Sequence, residues 1–220
     1  MVCGRIVARV LKAAWTKNGK IVIPPAFRPS YNIAPTAGIV VFRATAGAWD
    51  ASIMRWGLVP SWWKDAAKLP GQTFNARAAT LAEKPTFRAS FKRRRCLIPV
   101  DGFYEWASTG GKTKQPFYIH PSDPEGIFHF AGLWDLWETA DGAMESCTII
   151  TTEPNALMAG IHDRMPVILT PGNFDEWLDP ANQDSGRVHR LLVPCDQTLM
   201  EAYPVGPVRG DGPELIARMA

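Results

Sequence analysis

A cysteine close to the start of the chain, Cys3, has the most distinctive chemistry in the sequence. A cysteine at a chain terminus carries two nucleophiles, an α-amine and a thiol, with unperturbed pKa values of about 7.7–8.0 and about 8.5. Together they can capture an aldehyde as an imine that closes to a thiazolidine ring. An internal cysteine cannot form this ring because its nitrogen is an amide. Val2 lies between Met1 and Cys3, so removal of Met1 alone leaves Cys3 internal.

Three further segments carry polar residues with chemical uses. In the first, Asn75 either closes a turn or orients a carbonyl, while Arg77 can grip a phosphate with two hydrogen bonds. In the second, Glu105 follows an apolar strand and stands between two aromatic residues. It either faces outward from an edge or lies in a poorly solvated cleft, where a raised pKa suits proton transfer. In the third, His162 is either a structural hydrogen-bonding group or a catalyst, and each signal alone is weak.

Length and composition favour one domain over residues 1–220, although two small domains also fit. The 220 residues are 46% hydrophobic, which is enough for one sizeable core. No apolar run approaches the roughly 20 residues of a membrane span, and we expect no secretory signal. The four cysteines are far apart and form no CxxC pair, so we expect reduced thiols in a cytoplasmic protein rather than a zinc site or a disulfide framework.

Basic and aromatic residues suggest a nucleic-acid partner. The net charge is only +3, but Lys92-Arg93-Arg94-Arg95 is a compact basic run. Such a run is usually a solvated face, and its functional interpretation is attraction to phosphates. The nine tryptophans mostly suit a core, and exposed ones can stack on bases.

Short apolar runs separated by Gly and Pro predict many short strands and a few helices. The predicted strands cover residues 39–43, 51–56, 96–100, 117–119, 127–133, 147–151 and 167–169. The predicted helices cover residues 86–93, 155–161, a segment capped by Thr170, 187–192 and 213–219. Because regular helices do not separate the strands, we expect a mainly antiparallel α+β fold rather than a doubly wound parallel sheet.

Several short motifs occur in a fixed order along nearly the whole chain, and together they are specific. They are Cys3-Gly4-Arg5, Tyr31-Asn32-Ile33-Ala34-Pro35-Thr36, Arg55-Trp56-Gly57-Leu58-Val59-Pro60-Ser61-Trp62, Phe74-Asn75-Ala76-Arg77, Gly102-Phe103-Tyr104-Glu105-Trp106, Phe130-Ala131-Gly132-Leu133-Trp134, His162-Asp163-Arg164-Met165-Pro166 and Asp211-Gly212-Pro213-Glu214-Leu215-Ile216. This set resembles the SOS-response-associated peptidase family, whose members recognise abasic sites in single-stranded DNA and crosslink to them covalently.

The resemblance implies a function in the DNA damage (SOS) response and a barrel-like β core with short peripheral helices. It implies catalytic roles for Cys3 as the nucleophile, Asn75 as a positioning group, Glu105 as the proton shuttle and His162 as the group that assists sugar opening. It implies DNA contacts by Arg5, Trp62, Trp63, Arg77 and Arg164. We further expect a monomer with self-processing peptidase and lyase-like activities, and neither a metal nor another cofactor.

Two departures from the family pattern matter. The family begins Met-Cys-Gly-Arg, whereas Val2 stands before the cysteine here. An insertion from expression or a different start site, further trimming that exposes Cys3, and a divergent protein without the crosslink all explain Val2, and we favour the insertion. Ala79 stands where the family usually has Glu, which affects local contacts only.

Two other function classes remain open from the sequence. Cys3, His162 and Asn75 are also the residue types of a thiol protease, in which His activates Cys and Asn orients His. A non-catalytic single-strand-binding module needs only the basic and aromatic residues.

Overall fold

The computed structural model describes residues 3–9, 15–16, 19–20, 23–45, 48–111, 113–140 and 142–219. Val2 lies outside these residues. The strands are β1 Ile6–Ala8, β2 Trp15–Thr16, β3 Gly19–Lys20, β4 Ser30–Ile33, β5 Gly38–Thr45, β6 Ala48–Trp56, β7 Asn75–Arg77, β8 Arg95–Val100, β9 Gly102–Ser108, β10 Lys114–Pro121, β11 Phe128–Thr139, β12 Gly142–Thr152, β13 Met165–Pro166 and β14 Met200–Pro204. The α-helices are α1 Pro85–Arg93, α2 Ala156–Ala159, α3 Phe174–Leu178 and α4 Ser185–His189.

The larger sheet closes into a barrel. Its order in the described part of the chain is β11-β8-β5-β6-β12-β13, and the additional pairing of β11 with β12 joins the two ends of the five-stranded wall. Most pairs are antiparallel, but β12 runs parallel to β6 and to β7. The expected α+β fold with a mainly antiparallel, barrel-like core and short peripheral helices is therefore confirmed.

The second sheet is antiparallel and has the order β14-β10-β9-β1-β4 among the described strands. Its residues Ile6 and Phe103 join Ile39 and Ile98 of the barrel strands in one core cluster. Residues that alternate with these along the barrel strands, such as Leu97, join Phe91 of α1 and Trp177 of α3 in a second cluster. The strands are thus covered on both faces, which explains why β8 is apolar almost throughout and buried at every position.

The prediction of a strand over residues 167–169 is wrong. Only Met165–Pro166 forms a strand there, and the following residues form hydrogen bonds to both β11 and β12. The N–H of Val167 donates to the Ile150 carbonyl, while the Val167 carbonyl accepts from the N–H of Ala131, both at 2.9 Å. The segment bridges β11 and β12 instead of extending a ladder along either.

The predicted helices are present but mostly shorter. Helix α1 starts one residue before the predicted boundary because Pro85 occupies its first turn. The segment predicted as a helix over residues 213–219 is a 3₁₀ helix at Pro213–Ile216, since Arg218 then pairs with Val205 beside β14. Thr170 precedes a 3₁₀ turn without capping it through its side chain. No helix in the described residues is long and apolar enough to cross a membrane.

Candidate active site

The pairing of two distant strands brings Cys3 to Glu105. Strand β1 pairs with β9 so that Ile6 lies opposite Phe103, and the N–H of Tyr104 donates to the Arg5 carbonyl at 3.0 Å. Two residues before Arg5, the backbone nitrogen of Cys3 donates to Oε1 of Glu105 at 2.5 Å. The residue that carries the nucleophiles therefore contacts a carboxyl group 102 positions away in the sequence.

Glu105 lies in an apolar environment that alters its acidity. Along β9, Phe103 and Glu105 share one face, which is the face that packs into the core, and Glu105 is 1% exposed. Burial raises its pKa to about 7, although the hydrogen bond from Cys3 opposes the shift. Glu105 therefore lies in a poorly solvated site rather than on an outward-facing edge. It can both accept and donate a proton near neutral pH.

The Cys3 thiol lies in the core, and its backbone is strained. Burial raises the pKa of the thiol, and the nearby Glu105 raises it further. Its φ of +44° lies in the left-handed region, which a residue with a Cβ seldom adopts. The turn directs its nitrogen toward Glu105. A thiol protease needs a thiol with a lowered pKa, so this environment argues against that class.

A cleft of about 300 Å³ contains four of the residues implied by the resemblance. Its lining consists of Gln72, Phe74, Asn75, Arg77, Thr151, His162, Asp163 and Arg164. Cys3 and Glu105 are buried next to it rather than in its lining. Phe74 packs against the cluster that contains Cys3. The Asp163 carboxylate also raises the pKa of Glu105, which requires the two groups to be near each other.

The parallel pairing of β7 with β12 fixes one wall of this cleft. Asn75 lies opposite Ile149 and Arg77 lies opposite Thr151. The Phe74 carbonyl accepts from the N–H of Ile149, which holds the start of β7 in place. Asn75 and Arg77 are two residues apart in a strand, so both side chains project from the same face.

Burial and a neighbouring carboxylate act in opposite directions on His162. Burial lowers its pKa, and the adjacent Asp163 carboxylate, 2.9 Å from Nδ1, opposes that shift. The same Nδ1 lies 3.2 Å from the backbone nitrogen of Arg164, so both neighbours hold the ring through Nδ1 and leave Nε2 available to another group. Nε2 of His162 can therefore exchange a hydrogen bond or a proton with a ligand in the cleft.

Two guanidinium groups give the cleft its positive charge. Arg164 is held by two hydrogen bonds to Thr151, to the carbonyl at 2.7 Å and to Oγ1 at 3.1 Å. Burial lowers its pKa, and the positive charge of Arg77 lowers it further, which shows that the two cations lie near each other. A pair of cations that repel each other provides a site for an anion such as phosphate.

The remaining three expected DNA-contact residues lie outside the cleft lining. The Arg5 guanidinium donates to Oδ1 of Asn32 at 3.1 Å. Trp62 is 52% exposed. Trp63 is less exposed, and its indole N–H donates to the carbonyls of Asp65 and Lys68. Of the two tryptophans, only Trp62 presents an exposed ring, whereas Trp63 holds the following loop together.

The sequence did not single out four lining residues. Phe74 and Asp163 stood inside motifs but had no role assigned, and Gln72 lies just before one motif. Thr151 is the last residue of the strand predicted over residues 147–151, and nothing in the sequence marks its contact with Arg164. Ala79 is exposed in the 3₁₀ helix Ala78–Thr80, so its departure from the family pattern affects a surface position.

A family model described as SOS response associated peptidase matches residues 2–209. The chain belongs to this family. It is 46% identical over 195 residues to the abasic site processing protein YoqW of Bacillus subtilis, covering 86% of both chains. It is 32% identical over 235 residues to the abasic site processing protein HMCES of Gallus gallus, covering 92% of this chain and 68% of that one.

Solved structures share the fold. A crystal structure of a protein from Bacteroides thetaiotaomicron superposes with a TM-score of 0.79 at 31% identity, covering 86% of this chain and 85% of the other. A protein from Bordetella bronchiseptica gives a TM-score of 0.78 at 25% identity, covering 93% of this chain and 100% of the other. The family assignment therefore rests on sequence and on architecture alike.

Proposed function

We propose that this family member binds single-stranded DNA at an abasic site and crosslinks to the lesion through Cys3. The observation that carries the proposal is the 2.5 Å hydrogen bond between the Cys3 nitrogen and buried Glu105, next to a cationic cleft. An abasic sugar in its open form presents an aldehyde at C1′. The amine and thiol of one residue supply both new bonds intramolecularly, which gives a large effective concentration. The YoqW and HMCES relatives are named abasic site processing proteins, which supports an abasic site as the target.

The proposed reaction consumes one aldehyde and releases one water. The Cys3 amine adds to C1′ to give a carbinolamine, and loss of the hydroxyl as water gives an imine. The thiol then adds across the C=N bond, which forms the C–S bond and returns a proton to nitrogen. Glu105 takes a proton from the attacking amine and delivers one to the departing hydroxyl. A pKa of about 7 suits both steps.

The cleft residues take complementary roles. His162 assists opening of the closed sugar to the aldehyde through a hydrogen bond or proton exchange between Nε2 and a sugar oxygen. Asn75 orients the sugar through its amide. Arg77 and Arg164 bind backbone phosphates near the lesion, because a planar guanidinium group pairs with a phosphate through two hydrogen bonds.

The reaction requires a free amine at Cys3. In a chain that carries Val2 naturally rather than through the favoured insertion, we propose that hydrolysis of the Val2–Cys3 peptide bond precedes crosslinking and that this step is the self-processing peptidase activity. Water adds across the amide, so Val2 leaves with a carboxyl group and Cys3 gains an amine. Glu105 is hydrogen-bonded to that nitrogen and can protonate it as it leaves.

A lyase side reaction follows from the same imine. Where the thiol does not close the ring, β-elimination from the imine breaks the strand on the 3′ side of the lesion. We infer that ring closure normally prevents this cleavage. We also infer a monomer acting in the cytoplasm; the four described cysteines are all free thiols, as a reducing compartment favours.

The test uses a labelled single-stranded oligonucleotide with one abasic site. The intact mass of the purified protein first establishes whether the chain begins at Cys3. We expect a heat-stable band of reduced mobility on a denaturing gel, and Cys3→Ala should abolish it. A tetrahydrofuran analogue, which has no aldehyde, should bind without forming the band. Binding without any covalent band would support the single-strand-binding module instead.

Two variants separate chemistry from binding. Glu105→Gln should slow crosslinking by about 10²-fold or more while leaving the affinity for the tetrahydrofuran DNA within about twofold. Arg77→Ala should weaken binding and reduce the slope of log K against log salt by about 0.7, the value for one phosphate contact on a single strand. Equal losses of rate and affinity in Glu105→Gln would contradict the proton-transfer role.

A further inference from the structure

A second cleft of about 220 Å³ adjoins the first and shares two residues, Gln72 and Phe74, with it. We name it the Arg55 cleft; its other walls include Pro35, Arg55, Trp56 and Leu69. We propose that the Arg55 cleft binds the nucleobase next to the abasic site. This inference rests on the proposed function and adds a binding position to it.

The size and lining of the Arg55 cleft suit one flat, mainly apolar group. Its volume is below the roughly 300–1,000 Å³ of sites for drug-sized ligands. Pro35, Leu69 and the ring of Phe74 provide apolar surface against which a base can pack. Trp56 lies behind them, and its ring meets that of Phe74 edge-on at 6.0 Å. Every base has an apolar face, so such walls accept any of the four.

Arg55 supplies the polar contact. Its Nη1 donates to the Gly57 carbonyl at 2.5 Å, which fixes the guanidinium plane at the cleft. A Cβ at Gly57 would lie 2.6 Å from Nη1, and the φ of Gly57 is +132°, so only glycine allows this arrangement. Burial lowers the pKa of the guanidinium. A half-buried guanidinium can donate to the ring nitrogens and carbonyl oxygens of a base and can also stack on its face.

Backbone strain borders this cleft on two sides. Among the described residues, three non-glycine positions have φ in the left-handed region: Thr36 at +80°, Gln72 at +56° and Cys3 at +44°. Thr36 and Gln72 both line the Arg55 cleft. The N–H of Thr36 donates to the Trp56 carbonyl at 2.7 Å, which maintains the strained turn. Such strain persists where surrounding structure enforces it, and it is concentrated at binding and catalytic sites.

The shared wall explains why the ligand is a neighbouring base. Successive nucleotides of a single strand lie side by side, so a strand with its abasic sugar in the first cleft brings an adjacent base to the other side of Phe74. The Phe74 carbonyl accepts from the Trp56 indole N–H at 2.9 Å and from the Ile149 N–H at 3.0 Å, which fixes the backbone of that wall. The two clefts thus accept consecutive parts of one strand.

The experiment measures how much a single neighbouring base contributes to affinity. Each DNA carries one tetrahydrofuran site, and the base on its 5′ or its 3′ side is replaced in turn by a second tetrahydrofuran. We expect removal of the base on one side to weaken binding by about 5- to 100-fold, as for a base stacked on an aromatic wall. Removal on the other side should have a smaller effect.

Variants of the Arg55 cleft should reduce this dependence on the base. In Arg55→Gln, and separately in Leu69→Ala, removal of that base should weaken DNA binding by only about threefold or less. Lys68→Ala, at the exposed neighbour of Leu69, is the matched control and should leave the loss unchanged. Two independent variants are used so that a folding defect in one, detected by thermal unfolding, leaves the other to decide.

The outcomes distinguish this inference from the proposed function. Two results would overturn this inference while the protein still crosslinks to abasic DNA. In one, removing either neighbouring base leaves the affinity unchanged. In the other, removing the base lowers the affinity equally in the wild type and in both variants. If no abasic DNA binds, the proposed function fails, and oligothymidine is then titrated while the Leu69 methyl and Trp56 indole signals are followed by NMR. Shifts confined to these signals would support base binding, and unchanged signals would exclude it.

Discussion

At the scale of single residues, the decisive feature is the contact between Cys3 and Glu105. A carboxyl group on a solvated strand would be fully ionised at neutral pH and could only accept a proton. The core around Glu105 raises its pKa to about 7, so both protonation states are populated. The same burial raises the pKa of the Cys3 thiol, which favours the neutral thiol.

The raised pKa of Glu105 predicts a pH-dependent stability. The pKa is about 7 in the folded state against 4.5 for the exposed group, so between these values the folded state binds more protons. The free energy of unfolding should therefore fall as pH rises from about 4.5 to about 7, by on the order of 2–3 kcal/mol. Urea denaturation at several pH values measures this.

Two variants test the assignment of this pH dependence. Glu105→Gln remains neutral and keeps an acceptor for the Cys3 nitrogen, so it should remove the fall in stability. Glu138→Gln changes an exposed carboxylate and should leave the fall unchanged. Parallel pH curves for wild type and Glu105→Gln would show that Glu105 has an ordinary pKa.

At the scale of elements, the turn after β6 presents one tryptophan and uses the other for support. The Trp63 carbonyl accepts from the indole N–H of Trp137 at 2.6 Å, and the N–H of Val59 donates to Oγ of Ser146 at 2.8 Å. These bonds fix the turn to β11 and β12. Trp62 remains exposed on a rigid support, which would lower the entropy cost of the base stacking proposed for it.

Alanine substitutions should separate the two tryptophans. Trp62→Ala should leave the free energy of unfolding within about 0.5 kcal/mol, and should weaken binding to abasic single-stranded DNA by about 1–3 kcal/mol. Trp63→Ala should destabilise the fold by about 2 kcal/mol because packing and two hydrogen bonds are lost. Chemical denaturation and fluorescence anisotropy measure the two quantities. A stability loss in Trp62→Ala equal to that in Trp63→Ala would contradict this division.

A buried carboxylate joins the same turn to α1. Asp135 accepts from the N–H of Ser61 at 3.1 Å and from the hydroxyl of Ser90 at 3.3 Å, and it pairs with the Arg94 guanidinium. Asp135→Ala should cost about 1–3 kcal/mol of unfolding free energy because the buried Ser90 hydroxyl loses its acceptor, while water still solvates the part-exposed Arg94. Asp50→Ala, at an exposed position, should change the free energy by less than about 0.5 kcal/mol. Similar midpoints in urea for both variants would refute this role.

At the scale of the whole molecule, the end of the chain closes over the outer face of the second sheet. Oδ1 of Asp211 accepts from the Ser30 hydroxyl at 2.8 Å and from the Tyr31 N–H at 2.6 Å. Leu215 is buried in a small cluster with Val7 and Tyr104 from that sheet. The segment thus shields the side of β9 opposite to Glu105.

Two apolar residues of this segment make a matched test. Leu215→Ala should lower the free energy of unfolding by about 2–4 kcal/mol because a buried side chain leaves a cavity. Met219→Ala, at a side chain that is 48% exposed, should have an effect below about 0.5 kcal/mol. Thermal or urea denaturation gives both values. A Leu215→Ala effect as small as that of Met219→Ala would show that the segment contributes little to the fold.

Local patterns predicted most of the barrel strands, because alternating or continuous apolar runs report burial directly. They failed at residues 167–169, where the apolar residues bond to two strands at once. They also gave no strand at β1, β4, β7, β9 or β14, and no indication of the role of Thr151. These features depend on which distant segments meet, and neither periodicity nor turn residues contain that information.

The sequence by itself determined the chemical groups, their order along the chain and the family, since motifs are local and their order is unaffected by folding. The tertiary structure decided that Cys3 meets Glu105, that Trp62 rather than Trp63 is exposed, and that Arg5 lies outside the cleft lining. The physical reason is that the pKa of a side chain depends on its burial, and contact between two groups depends on their distance. Both are set only when remote strands such as β1 and β9 pair.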